Sequence, residues 1–173
     1  YLYKTAHHPR LKRDYQKKAI EAARATSAAP TYFPSFISDS GVPLVDGGVW
    51  ANNPMAVAVV EGLSLLEWQP DQMRVLSLGC TTEPFDAERA REESKGRAYW
   101  AFRAKDLFMT SQSSSAKGMA KLLLGGDERI LRVNPVVPRE RFQLDSTCGI
   151  DALRGFGENE ARNALPKLEE HFL

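Results

Sequence analysis

The stretch Val42-Pro43-Leu44-Val45-Asp46-Gly47-Gly48-Val49-Trp50-Ala51-Asn52-Asn53-Pro54 constrains this chain more than any other. Val42 to Val45 reads as a short apolar strand, and Asp46 with two glycines ends it. Pro54 then sits at a favoured first helical position, with Asn52 or Asn53 placed to cap. From there to Leu66 the sequence is apolar nearly all round, which predicts a helix buried on several sides. Arg74 to Leu78 is a second short strand, closed by Gly79. Strand, buried helix and strand in this order predict a βαβ unit, hence a parallel sheet with a right-handed crossover.

Around that unit the pattern is mostly helical. Gln16 to Thr26 carries Ala19, Ala22, Ala23 and Ala25, a small-residue helix that must stop before Pro30. Glu83 to Gly96 is charged and reads as a surface segment. Ala98 to Leu124 predicts one long helix or two, ended by Gly125-Gly126. Arg129 to Val133 is a further strand, and Ile150 to Leu153 and Glu158 to Phe172 read as separate helical pieces. Between those pieces Gly155-Phe156-Gly157 reads as a turn, because it lacks the third glycine and strong strand of a phosphate cradle. With no internal repeat and no linker, the chain is expected to be one α/β unit.

Composition fixes the class. At 173 residues, 43% hydrophobic and 26% charged, the chain is long enough to bury roughly 70% of its unfolded surface. Its apolar runs stop far short of the ~20 residues that cross a bilayer. A net charge of +1 gives no reason to expect a nucleic-acid polymer as partner. Locally, though, Lys4, Arg10, Lys12, Arg13, Lys17 and Lys18 face only Asp14 in the opening segment. Such a patch is either a solvated face or a dock for anionic lipid, at about 1 kcal/mol per cation. Two cysteines, Cys80 and Cys148, are too few for a disulfide scaffold, which points to a reducing cytoplasmic setting, peripheral at the inner face of a membrane if the basic patch docks. The absence of an initiator Met leads us to expect natural sequence upstream of Tyr1.

Asp46 is the chief chemical candidate. An acid directly after a strand and before two glycines stands where α/β sheets place ligands. Burial between Val45 and Val49 would strengthen it as a proton acceptor. Gly47 and Gly48 would let backbone approach a substrate or a neighbouring loop. The tripeptide taken by itself is more plainly an Asp-Gly turn between strands. Other residues read more simply. His7-His8 forms a polar surface pair, His171 a helix-end cation, Cys80 a buried or half-buried thiol, and Ser111 to Ser115 a small packing face. No metal-ligand spacing is present, so we expect no cofactor, calcium-independent chemistry, and activity indifferent to a chelator.

Three segments in register change the weight of Asp46. Ala25-Thr26-Ser27-Ala28-Ala29-Pro30-Thr31-Tyr32-Phe33-Pro34, then Val45 to Pro54, then Val75-Leu76-Ser77-Leu78-Gly79, resemble the C-terminal half of patatin-like phospholipases. The resemblance covers most of the chain and weakens after Asn134. It implies part of a three-layer α/β fold with a mainly parallel sheet flanked by helices. It also implies an acyl hydrolase acting on membrane phospholipid through a Ser–Asp dyad without histidine. Asp46 matches the dyad Asp, Gly47 and Gly48 complete its motif, and Asn52 and Asn53 are expected to brace the loop. The family's Gly-x-Ser-x-Gly nucleophile occurs nowhere in residues 1 to 173, so the chain is expected to be the C-terminal portion of one domain and inactive alone. The competing expectation is a non-catalytic binding module that keeps Asp46 as a turn residue. Tyr3-Lys4-Thr5-Ala6-His7-His8-Pro9, Ala28 to Phe33, and Leu153 to Gly157 with Glu160-Ala161-Arg162 and Leu165-Pro166 further resemble bacterial patatin-like effectors of anti-phage defence. That narrower likeness implies a cyclic dinucleotide activator.

Overall fold

The computed structural model describes residues 1–83, 96–138, 141–142 and 146–172, with residues 97–99 and 101–103 described by their backbone. Helix α1 spans Ala19–Thr26, with Glu21 in its first turn where the helix dipole favours an acid. It stops at Ser27, whose hydroxyl donates back to the Ala23 carbonyl at 2.8 Å. Strands β1 (Phe36–Ile37) and β2 (Pro43–Leu44) follow as an antiparallel ribbon. The turn between them depends on Gly41 at φ +77°, a left-handed conformation that suits glycine.

Beyond the ribbon, α2 (Gly48–Ala51) and α3 (Met55–Ser64) lead through a 3-10 turn at Pro70–Gln72 to β3 (Val75–Leu78). Helix α4 (Arg97–Leu124) is one continuous element. It ends on Gly125 at φ +77°, whose N–H returns to the Lys121 carbonyl. Strand β4 (Ile130–Val133) pairs in parallel with β3, Val75 opposite Ile130 through Leu78 opposite Val133. Helix α5 (Ile150–Phe172) closes the described chain.

The fold is α/β as the sequence predicts, but its strand pairing is not the predicted one. Strand β2 bonds to β1, and β2 and β3 belong to separate sheets. The parallel pair is β3 with β4, connected through α4. The apolar run at Val42 to Val45 encodes a strand, whereas its partner is set by the short turn that brings β1 back to it. A second correction concerns α5. It runs unbroken through Gly155, Gly157 and Pro166, so Gly155-Phe156-Gly157 is neither turn nor phosphate cradle. Glycine weakens a helix but does not end one that packing holds together. The predicted surface segment at 84–95 lies outside the described residues.

The core sits where α3 and α4 cover one face of the parallel pair. Met55, Val59, Met73, Ala120 and Leu124 are buried together, with Leu63, Val75 and Ile130 packed against them. Val59 and Leu124 lose all solvent contact, and each such burial stabilises by about 1.5–3 kcal/mol. The other face of β3 is bare. Ser77 points inward and is buried, while Leu76 and Leu78 are exposed, Leu78 at 70%. Phe33, Val49 and Trp50 near the Asp46 loop are exposed as well. Among the described residues no helix is long and apolar enough to cross a membrane.

Candidate active site

Asp46 follows β2 directly, and its backbone is anchored from both sides. Its N–H donates to the Ala28 carbonyl at 2.9 Å, tying it to the chain leaving α1, and its carbonyl accepts from Val49 N–H at 3.1 Å. The presentation of Ala28 rests on an unusual turn. Thr31 takes φ +76°, rare for a β-branched residue, and Tyr32 and Phe33 both donate to the Ala29 carbonyl.

The carboxylate is arranged asymmetrically. Oδ1 accepts from Gly48 N–H at 2.6 Å, a charge-assisted bond that fixes the rotamer. Among the described residues Oδ2 accepts no hydrogen bond. One oxygen is thus an anchor, and the other has room to accept a hydrogen bond. Gly48 is required by this closeness, since a Cβ there would lie 3.0 Å from Oδ1. A Cβ at Gly47 would meet the Thr26 hydroxyl at 3.3 Å. The glycines therefore admit the loop's own groups. The expected burial of Asp46 between two valines is not realised: Val45 and Val49 are about half exposed and Asp46 is half-buried.

Asn53 bonds away from the Asp46 loop, to α3, α4 and β3. Only 5% exposed, it accepts the Met55 N–H at 3.2 Å on Oδ1, just ahead of α3, whose N-cap is Pro54. Its Nδ2 donates to the Ser113 carbonyl at 3.3 Å on α4. Ser77 of β3 donates to the same Oδ1 at 3.5 Å, and Arg132 of β4 donates to the Ser77 hydroxyl at 2.7 Å. One side chain thus joins both core helices and the parallel pair. Asn52 contributes through its backbone, donating to Gln112 Oε1 at 3.3 Å, while Gln112 Nε2 donates to the Val49 carbonyl at 3.1 Å. Sequence reasoning missed Gln112, Thr26 and Arg132. Gln112 and Ser113 are the half-buried members of the predicted serine-rich packing face.

The remaining candidates divide. His7 is an exposed surface residue, and its Nε2 lies 2.7 Å from Glu61 Oε1, while Lys4 Nζ lies 2.6 Å from Glu61 Oε2. Lys4 and His7 therefore pin the leading segment to α3. Their bonds, that of Lys4 first, hold the Glu61 carboxyl below its ordinary value. Cys80 is exposed, against expectation, and Cys148 is exposed too. His171 lies in the last turn of α5, where a cation suits the dipole. Among the described residues no group of three or more His, Cys, Asp or Glu is placed to hold a metal.

The model of the patatin-like phospholipase family matches residues 2–59, which include the whole Asp46 loop. With its α/β architecture, the chain belongs to the patatin-like phospholipase family. Its curated relatives are cGAMP-activated phospholipases. One from Pseudomonas aeruginosa is 33% identical over 169 residues, covering 95% of this chain and 50% of that protein. One from Vibrio cholerae is 37% identical over 90 residues, covering 49% and 25%. One from Escherichia coli is 48% identical over 61 residues, covering 35% and 17%. The chain spans about half the length of the Pseudomonas relative.

Proposed function

We propose that the intact protein is a serine acyl hydrolase of membrane phospholipid, switched on by a cyclic dinucleotide, in which Asp46 is the catalytic base. The observation that carries this reading is the carboxylate itself, held through Oδ1 by Gly48 and open at Oδ2. The family match over that loop and the printed names of the relatives support it. Residues 1–173 contain no Gly-x-Ser-x-Gly, so the nucleophile belongs to sequence outside them. In the acylation step the serine oxygen bonds to the ester carbonyl carbon as its proton passes to Asp46. That proton then goes to the departing glycerol oxygen, which leaves as lysolipid. Water repeats the attack on the acyl-serine and releases the fatty acid. The setting we assign is cytoplasmic, at the inner face of a membrane.

The test is Asp46→Asn in the intact protein. Phospholipid hydrolysis should fall by about 10²- to 10⁴-fold, the usual contribution of a general base, with the melting temperature unchanged. Undiminished turnover by a folded Asp46→Asn protein would sink the proposal.

A further inference from the structure

Arg132 is a cation without an acid. It stands on β4 opposite Ser77 of β3, on the face through which Val75 and Ile130 pack against the core. Its Nη1 is spent on the Ser77 hydroxyl at 2.7 Å. Among the described residues its Nε and Nη2 donate to nothing, and no carboxylate pairs with it. Partial burial pushes the guanidinium down from its ordinary value, with Cys80 acting against that shift. An arginine keeps its charge even so, and a desolvated charge left unpaired is costly. The arrangement calls for an anionic oxygen from elsewhere.

The surroundings shape a site around that charge. Strands β3 and β4 run in parallel and end at Leu78 and Val133, so Gly79, Cys80 and Asn134 follow them at the carboxyl ends, where α/β sheets bind ligands. Gly79 leaves the space that two polar side chains use. A Cβ there would strike Asn134 Oδ1 and lie 2.7 Å from Arg132 Nη2, so the amide and the guanidinium converge on one point. Both residues are half-buried, while Cys80 beside them is exposed, which leaves the cluster open to solvent on one side. The start of α3 lies here too. Ser77, which accepts from Arg132, reaches Asn53 Oδ1 at 3.5 Å, so the Asp46 loop delivers its helix to the strand ends where Arg132 stands.

A guanidinium fork with Nε and Nη2 free matches two oxygens of one phosphate, and the Asn134 amide offers a further N–H. A fatty-acyl chain would gain nothing from the fork, and a metal ion would be repelled by it. A phospholipid carries a phosphodiester near the ester that is cut, whereas a neutral ester carries none. We propose that Arg132 and Asn134 form a subsite for the headgroup phosphate, making Arg132 the residue that selects phospholipid over a neutral ester. This subsite rests on the reading of the protein as a phospholipid hydrolase.

The test uses the intact protein at saturating cyclic GMP-AMP, with initial rates on phosphatidylglycerol vesicles and on p-nitrophenyl butyrate, a neutral ester without phosphate. Arg132→Gln removes the fork. Asn134→Asp leaves the fork and its bond to Ser77 in place but supplies a competing carboxylate, so it stays informative if Arg132→Gln fails to fold. In each, the ratio of kcat/KM for vesicles to that for the neutral ester should fall about tenfold or more, chiefly through KM, as expected for a lost charge-assisted hydrogen bond. Arg132→Lys, which keeps the charge without the fork, should fall between parent and Arg132→Gln. An unchanged ratio in the folded variants, with both activities falling together or neither falling, would make the Arg132 bond to Ser77 purely structural and overturn the subsite. A change only in the cyclic GMP-AMP concentration that half-activates the enzyme would assign the cluster to the activator and overturn it equally. The catalytic assignment fails separately: vesicle hydrolysis that survives Asp46→Asn defeats the role of Asp46, while the ratio still decides the subsite.

Discussion

At the scale of single residues, the two oxygens of Asp46 do different work, and Gly48 makes that possible. Gly48→Ala would put a methyl 3.0 Å from Oδ1, so the carboxylate must give by a few tenths of an ångström against its backbone donor. We expect hydrolysis by the intact protein to drop about tenfold or more while global stability changes by less than about 1 kcal/mol, read from initial rates beside thermal melts. Glu61 supplies a pH prediction. Its folded-state value lies below the ordinary one, so the unfolded chain takes up the proton first as pH falls. The stabilisation is complete above the ordinary glutamate range and disappears as pH drops through the lower folded value. Glu61→Gln should cost on the order of 1 kcal/mol at neutral pH, a difference from the parent that vanishes in acid. That Asp46 follows a strand and Asn53 precedes a helix was legible because the cues are local: an acid before glycines, an amide before an apolar run. Gln112, Thr26 and the Glu61 partners were not, because each meets its partner only once distant segments fold together.

At the scale of elements, helices announced themselves through composition and caps, and strands through short apolar runs. Helix α1, β3, the end of α4 at Gly125 and β4 fall where local pattern puts them. Strand partnership did not, since a four-residue apolar run carries no record of which edge it will bond. The two glycines in α5 misled for a related reason: local propensity argues for a break, and packing outweighs it. That conflict is measurable. A Cβ at Gly155 or Gly157 meets nothing within 4 Å, so Gly155→Ala and Gly157→Ala should each stabilise by about 0.5–1 kcal/mol, seen as a higher melting temperature. Asn53→Ala has the opposite sign. It removes the acceptor of the Met55 N–H and unpairs groups on β3 and α4, and should cost about 1–3 kcal/mol by denaturant titration.

For the whole molecule, the uneven distribution of apolar surface matters most. One face of the parallel pair is sealed by α3 and α4, while Leu76 and Leu78 on the other are bare. Exposed apolar patches with an open strand edge bind dyes and one another. Residues 1–173 expressed alone should therefore enhance the fluorescence of a hydrophobic dye and self-associate, and should not hydrolyse a p-nitrophenyl ester. Turnover by that chain would contradict the assignment of the nucleophile to sequence outside it.

The pairing of β3 with β4 also sets an order of events. Ser77 and Arg132, opposite each other in the ladder, are 55 positions apart in the chain, so the ladder cannot begin until a long loop has closed. Helix α4, whose 28 residues span about 42 Å when formed, turns much of that loop into a rod that carries β4 back. Gly118 lies within α4, where an added Cβ meets nothing. Gly118→Ala should therefore speed refolding in stopped-flow measurements more than it slows unfolding, which would make the rod the clock of assembly.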